Sequence, residues 1–561
     1  MVQTAPHAHA STKPTMRQTL AAFLFGTTLL SAACGKTRNE EGRMTSGVTV
    51  NEQAVRREMD VTTATGSTAN AGSASSANAP IAAPSPEAAK AVDGKYKADR
   101  ADGEMGGNSH TDYGKNPWVD AKTDRLSTFA ADVDTASFSL ARRMLQGGSL
   151  PDAASVRVEE FVNYFKYDFA QPVGKTPFAV VMEAAPSPMH AGRHIVRVGV
   201  ATKAISTMAR KPAHLVFLVD VSGSMNGADR IELAKESLRT MTRNLKEDDT
   251  VSLVTYAGST RVVLEPTGAG NQDKILAAID DLRANGSTGM ASGIDLAYAR
   301  AAKSLKPGHI SRVIILSDGD ANVGPHTHDE LLKIISGRAK EGVTLSTIGF
   351  GTGNYRDTLM EQLADKGNGN NFYIDSREQA KRVFETQLTQ MLEVVAKDVK
   401  LQVEFDPAMV ARYRLVGYEN RDIKDEDFRK DQVDAGEIGA GHQVTALYEI
   451  ELTVTGKQAQ APIGAIRIRH KEPTGATATE AAFPMVGGPA VSFANSSSDF
   501  RFAFAAAAFA DVLRGGEDAE HWSLANIRDL AKLAAGENAD RKELVGLIDQ
   551  AIAIKNRQAS K

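Results

Sequence analysis

Between residues 214 and 395 the apolar positions follow two periods that take turns along the chain. Residues 215–219 (Leu-Val-Phe-Leu-Val) form an unbroken apolar run, and 250–256, 313–316 and 343–350 are nearly as apolar. Short runs of aliphatic and β-branched residues between turn residues predict strands buried on both faces. Between them, Ile231, Ala234, Leu238, Met241 and Leu245 share one helical face. So do Ile275, Leu276, Ile279 and Leu282, then Ile294, Ala297, Ala301 and Leu305, then Leu331, Leu332, Ile335 and Ala339. Residues 355–366 read as helix, 371–374 as a short strand, and Val383, Phe384, Leu388, Met391, Leu392 and Val395 as a closing helix. Residues 261–264 read as an edge neighbour of the 250–256 strand. Strands alternating with helices of about 12–15 residues imply right-handed crossovers and a parallel sheet covered on both faces. The expected fold over 211–396 is therefore α/β, a doubly wound, mostly parallel, Rossmann-like sheet with flanking β-sheet and helical regions.

The flanks carry other patterns. Residues 116–210 read as an α+β region. Order begins at Asn116-Pro117-Trp118, and Asp134 or Thr135 caps a helix bearing Leu140, Met144 and Leu145. A second helix over 155–165 carries Val158, Phe161, Val162 and Phe165, and 178–183 and 194–200 read as strands. Beyond the central unit, alternation at 399–405, 444–452 and 463–469 predicts antiparallel sheet within 397–490. Helical spacing returns in 491–561: an alanine-rich stretch over 500–513, then Leu524, Ile527, Leu530 and Leu533, then Leu544, Leu547, Ile548 and Ile552. Pairing the strands before His214 with those after Val399 would make the α/β unit an insertion.

The amino terminus changes the setting. Lys13 and Arg17 precede an apolar core at 20–30, and Ser31-Ala32-Ala33-Cys34-Gly35 follows. A charged start, a short apolar core and small residues before a cleavage point form a secretory signal over 1–34. The core is too short to span a membrane. Cys34 is the only cysteine, so neither an intrachain disulfide nor a cysteine-based metal site exists. Its context resembles the lipobox of bacterial lipoproteins, with Ser31 where an aliphatic residue is usual. That resemblance implies a diacylated Cys34, a lipid anchor in the cell envelope and, with Gly35 rather than aspartate following, the outer membrane. The alternative is an ordinary cleaved signal. Residues 35–115 are rich in Ala, Ser, Thr, Gly, Asn and Pro and lack the apolar content to bury a core. A flexible tether of about 80 residues spans on the order of 50 Å end to end.

Composition adds exclusions more than assignments. A hydrophobic fraction of 42% and a charged fraction of 24% are ordinary for a globular chain. A formal net charge of −4 offers no basic field for nucleic acid.

Candidate chemistry lies at the ends of the central strands. Asp220-Val221-Ser222-Gly223-Ser224 follows the 215–219 run, at the carboxyl edge where open α/β sheets place their ligands. A carboxylate and two hydroxyls, with no sulfur or imidazole, suit a small hard cation. A competing reading makes Ser222 or Ser224 the cap of the next helix. Two more segments return to this edge. Residues 286–290 (Gly-Ser-Thr-Gly-Met) bring Thr288, and 316–320 (Leu-Ser-Asp-Gly-Asp) bring Asp318. Asp320 and Asn322 just beyond read as turn residues.

Asp220, Ser222 and Ser224, with Thr288 and Asp318 at the matching loops, resemble the metal-ion-dependent adhesion site of von Willebrand factor type A domains. The resemblance covers roughly 213–396. The remainder of the chain is similar to the YfbK-like family of bacterial envelope lipoproteins that carry such a domain. The resemblance implies Mg²⁺, with Mn²⁺ as the alternative, held by Asp220, Ser222, Ser224, Thr288 and Asp318. It further implies that the serines and threonine supply neutral oxygens while the aspartates act largely through water. A cation held by few direct anions stays electrophilic, and its open position accepts a carboxylate from a partner protein. The expectation is a membrane-anchored, metal-dependent protein-binding module of the envelope and not an enzyme. A scaffold lipoprotein with an incidental metal site, or an accessory subunit of an enzyme complex, are the alternatives.

Motifs for other chemistry are missing or misleading. No Gly-x-Ser-x-Gly elbow and no His-Glu-x-x-His occurs. Gly35-Lys36-Thr37 and Gly174-Lys175-Thr176 end like a P-loop but lack its upstream glycine. His326-Thr327-His328-Asp329 invites a zinc reading, which a helix cap at Thr327 or Asp329 explains better. His214 and Ser222 are separated by the length of a strand.

Overall fold

In the computed structural model of the chain, the residues described are 110, 113–131, 134–174, 176–286, 289–319, 327–351, 357–433, 435–459, 461–516 and 522–560. All lie in the second of two units, Arg100–Lys561. Cys34, the signal segment and nearly all of 35–115 lie outside the described residues.

Strands β1 (Val119–Asp120) and β2 (Leu126–Ala130) lead to helices α1 (Ala136–Gln146) and α2 (Val158–Asn163), then to β3 (Phe178–Pro186) and β4 (Arg193–Thr202). The central unit follows as β5 (Ala213–Asp220), α3 (Ile231–Arg243), β6 (Thr250–Tyr256), β7 (Thr260–Gly268), α4 (Gln272–Asp280), α5 (Met290–Lys303), β8 (Ile310–Ser317), α6 (His328–Lys340), β9 (Val343–Gly349), α7 (Asp357–Lys366) and β10 (Asn371–Tyr373). It closes with α8 (Arg377–Lys381), a π-helical turn at Arg382–Thr386 and α9 (Leu388–Leu392). The closing helix expected over 383–395 is thus broken in its middle. The chain goes on through β11 (Val394–Phe405), β12 (Val410–Val416), β13 (Asp422–Ile423), β14 (Glu437–Gly439), β15 (Gln443–Leu452), α10 (Val454–Gln458), β16 (Gly464–Lys471) and β17 (Ala478–Pro484). It ends in α11 (Ser498–Leu513), α12 (Leu524–Ala535) and α13 (Ala539–Ala559). No helix among the described residues is long and apolar enough to cross a membrane.

The central sheet has the order β10-β9-β8-β5-β6-β7. Its pairs are parallel except β6 with β7. The chain winds one way from β5 to β6 and the other way from β8 to β9, so the topological switch point lies between β5 and β8. Every residue of β5 is buried. Leu215, Phe217 and Val219 join the α3 face, whereas Val216 and Leu218 join the α5 face. Ala136 and Leu140 of α1 belong to that second face, so a helix from outside the central unit helps to cover its sheet. Helix α5 approaches closely because Gly293 faces the sheet. A Cβ there would lie 2.9 Å from Tyr256 Cβ and 3.0 Å from Leu218 Cδ1.

The flanking strands form two further sheets, β1-β12-β15-β4-β3 and β13-β2-β11-β16-β17. Strand β4 pairs along its length with β15, from Arg193 opposite Glu451 to Ala201 opposite Gln443, and β2 pairs with β11. Regions 116–210 and 397–490, separated in the chain by the central unit, are interleaved in the same two sheets, and β5 to α9 is inserted between β4 and β11. Val196, Val198, Val200, Leu401, Val403 and Ile466 share one core. A second core joins α1 and α2 to the terminal helices, with Phe165 against Phe502 at 4.9 Å between ring centres. Helix α11 is buried on nearly every face, which its alanines permit.

Buried charge ties the insertion to its surroundings. Arg142 of α1 donates to both carboxylate oxygens of Asp375, each at 2.7 Å. Arg421 reaches Asp134, Glu361 and Asp365. Asp134 therefore does not cap α1. Its carboxylate accepts from Asn371 N at 2.8 Å and from Arg421, and Thr135, at the cap position, makes no side-chain cap bond.

Candidate cation-binding site

Strand β5 ends at Asp220, whose side chain is fully buried. Its Oδ1 accepts from Ser222 N at 2.8 Å, and its Oδ2 accepts from the Tyr256 hydroxyl at 3.0 Å and from Ser317 Oγ at 2.9 Å. Tyr256 and Ser317 are the last residues of β6 and β8, the two neighbours of β5. Three adjacent strands thus end on one carboxylate. Burial raises the Asp220 pKa, Ser222 and Ser317 pull it back by donating to the ionised form, and the nearby charge of Asp318 raises it again. Tyr256 is held well above its ordinary value by burial and by the Asp220 charge, so its hydroxyl remains a donor.

Past Asp220 the chain leaves the sheet. Ser222 is extended, and Gly223–Met225 make a single 3₁₀ turn. Ser222 Oγ and Ser224 Oγ lie 2.9 Å apart. Neither is a helix cap. The turn has no side-chain cap bond, and α3 begins only at Ile231, with Arg230 at its cap position. The capping alternative for these serines is therefore set aside.

Asp318 follows directly on β8 and is 2% exposed. Gly319, at φ +76°, turns the chain away and donates its N–H to Ser317 Oγ at 3.0 Å. Two backbone bonds bring the third loop in: Asn285 N donates to Val221 O at 2.7 Å and Gly223 N to Gly286 O at 3.0 Å. Thr288 comes two residues later and lies outside the described residues, as do Asp320, Asn322 and His326. Asp220, Ser222, Ser224 and Asp318 meet at the switch point.

Arg230 is a neighbour that sequence reasoning missed. Its Nη1 donates to Ser224 O at 3.0 Å, and its Nε lies 3.9 Å from Asp318 Oδ2. Tyr256 and Ser317 were missed as well. Tyr256 closes the strand predicted over 250–256 and Ser317 follows the one predicted over 313–316, but nothing in the pattern placed those strands beside β5.

The donor set fits a hard cation. Two enclosed carboxylates repel each other, and two hydroxyls turn toward one another beside them, with no nitrogen or sulfur ligand in the set. Both oxygens of Asp220 already accept hydrogen bonds, which suits a carboxylate that acts through water. Among the described residues, no group of three or more His, Cys, Asp or Glu is placed to hold a metal ion, so any site here depends on hydroxyls as much as carboxylates.

The other candidates resolve into structure. His214 lies at the opposite end of β5, with Nδ1 2.7 Å from Thr250 Oγ1. Burial pushes its pKa down to about 4. Thr327 caps α6 in a reciprocal capping box with Glu330, and His328 Nε2 lies 2.6 Å from Gln362 Oε1.

Residues 214–386 match the family model of the von Willebrand factor type A domain. Residues 390–554 match one described as the C-terminal part of uncharacterized protein YfbK, and 104–197 one described as von Willebrand factor. The chain is 39% identical over 463 residues to uncharacterized protein YfbK of Escherichia coli (strain K12), covering 78% of this chain and 80% of that one. It is 27% identical over 283 residues to an uncharacterized protein of Synechocystis sp., covering 50% and 66% respectively. A solved von Willebrand factor type A protein from Catenulispora acidiphila aligns over 67% of this chain and 89% of its own, at 17% identity and a TM-score of 0.41. The identity and coverage against YfbK, together with the matched domain over β5 to the π-helical turn, show that this chain belongs to the YfbK family and carries a von Willebrand factor type A domain.

Proposed function

We propose that this protein is an envelope-anchored binding module that holds a divalent cation for a carboxylate of a partner protein. One observation carries the reading: two buried carboxylates, Asp220 and Asp318, meet two serine hydroxyls at the β5/β8 switch point. Ser222, Ser224 and Thr288 would hold the cation through neutral oxygens, with Asp220 and Asp318 behind water. Bound there, Mg²⁺ or Mn²⁺ supplies an electrophilic open position. The chain's own part is to keep that electrophile unquenched. Tyr256 and Ser317 occupy Oδ2 of Asp220, so this carboxylate is positioned rather than offered as a direct ligand. Von Willebrand factor type A domains commonly mediate protein–protein interaction, which supports a protein partner and a site for binding rather than turnover. A lipid on Cys34, with the 35–115 stretch as tether, would place the module at the outer membrane.

Two measurements test this. Free Mn²⁺ followed by electron paramagnetic resonance should fall on adding the full chain and should not fall with Asp220→Ala. Partners retained from envelope extract by the intact protein in Mg²⁺ should be lost in EDTA and lost with Asp220→Ala. Identical retention in all conditions would falsify the metal-bridged reading. For the anchor, Cys34→Ala should move the protein out of the membrane fraction, and continued membrane association would sink the lipid assignment.

A further inference from the structure

A fixed positive charge stands beside the candidate site. Arg230 precedes α3, and its side chain is 21% exposed, enclosed on most sides but not sealed. Nη1 is anchored on Ser224 O, within the loop that carries the serine hydroxyls, and Nε points toward Asp318 at 3.9 Å. The turn after β9 leaves room for it. Gly351 has φ +76°, and a Cβ there would come within 2.4 Å of Arg230 Nε. The adjacent Asp229 is tied to Arg143 of α1, which holds the start of α3 in place. The guanidinium is thus held from several directions at the rim of a site that already contains two carboxylates.

The charges then follow. Among the described residues, two carboxylates and one guanidinium give the site one net negative charge. A divalent cation reverses this to one net positive charge, and an arriving carboxylate neutralises it. Without Arg230 the loaded site would be neutral and would hold no surplus charge to attract an anion. The same guanidinium repels the cation before any partner arrives.

We propose that Arg230 is a specificity-determining residue of this site. It lowers the affinity of the free site for metal and raises the affinity of the loaded site for an acidic group. The proposal rests on the reading of the site as a cation site. It predicts effects of opposite sign from one substitution, which a merely structural role for Arg230 would not produce.

The test uses the full chain with Mn²⁺ as metal and acetate as carboxylate probe. Free Mn²⁺ is read by electron paramagnetic resonance, and acetate at the bound ion by the loss of water-proton relaxation enhancement. Arg230→Gln should bind Mn²⁺ about tenfold more tightly while its Mn²⁺-loaded form binds acetate about tenfold more weakly, as expected for one unit charge at short range in a wet site. Arg230→Lys, which keeps the charge, should stay near the parent in Mn²⁺ affinity. Arg230→Gln with Mn²⁺ affinity unchanged, or with both affinities weakened, overturns the proposal. If the parent shows no Mn²⁺ binding that Asp220→Ala removes, the cation-site reading itself fails, an outcome distinct from a failure confined to Arg230→Gln.

Discussion

Asp249→Ala should be the most damaging single change near the point where the chain enters the central domain. Arg210 lies in the connection between β4 and β5, and Asp249 immediately precedes β6. Their side chains are both 0% exposed. Arg210 Nη2 meets Asp249 Oδ2 at 2.6 Å and Nη1 meets Oδ1 at 3.1 Å. Ala213 N and Lys246 N also donate to this carboxylate, each at 2.8 Å. Removing it leaves a buried guanidinium whose one remaining acceptor here is Lys211 O, at 2.9 Å, and deprives two backbone N–H groups of this acceptor. Breaking a buried pair from one side costs about 3–5 kcal/mol. The stranded N–H groups hold the figure in the upper half of that range. For a unit of this size each kcal/mol moves Tm by about 2–4 °C, so a drop on the order of 10 °C is expected by calorimetry. Arg210→Met with Asp249→Leu should recover part of the loss, giving a coupling energy of about 2 kcal/mol or more in a double-mutant cycle. A single mutant within about 1 °C of the parent, or a strictly additive double mutant, would show that this pair does not hold the domain entrance together.

Two further changes probe the central domain. His214 is buried in its neutral form, pushed down to about 4 by burial, with Lys306 adding to the effect. Its folded pKa lies below its unfolded one, so its contribution is complete above about pH 6.5 and is lost as pH falls toward 4, at about 2 kcal/mol. His214→Gln should flatten the dependence of Tm between about pH 5 and 7.5, and equal slopes in mutant and parent would contradict this. Gly293→Ala gains about 1 kcal/mol of helix propensity but pushes a methyl onto Tyr256 and Leu218, at about 1–3 kcal/mol. A small net destabilisation should come with weaker Mn²⁺ binding, because Tyr256 holds Asp220. A raised Tm with unchanged Mn²⁺ binding would show that the helix has slack.

Periodicity made the central domain legible because each of its elements is apolar in a way only one secondary structure satisfies. The Asp220-to-Ser224 signature was legible for a related reason: its groups are neighbours in the chain. Tyr256 was read as one more strand residue. Its role depends on β6 lying beside β5 with Tyr256 opposite Asp220, and hydrophobic pattern carries no register between strands. Arg230 was hidden similarly, since its contact with Asp318 joins loops from different strands. Outside the domain, the apolar face of α1 was visible but not the surface it covers, because Ala136 and Leu140 would pack equally well on any apolar sheet. Interleaving of the two flanks was invisible to local pattern for the same reason. Asp134 shows the opposite error: a residue that suits a local cap was taken instead by an arginine 287 positions away.

The insertion has a mechanical consequence. The two chain segments that join the central domain to the flanking sheets run side by side, with Thr207 Oγ1 3.2 Å from Thr389 Oγ1. Strand β5 runs from the incoming segment to Asp220 at its far end. A partner pulling on that end would load β5 lengthwise, against its ladders to β6 and β8 together. Such bonds fail in shear, all at once, rather than peeling one after another. Tension then divides between two covalent connections instead of running through one. The domain is fastened at both ends of its own chain, with Asp220 at the opposite tip.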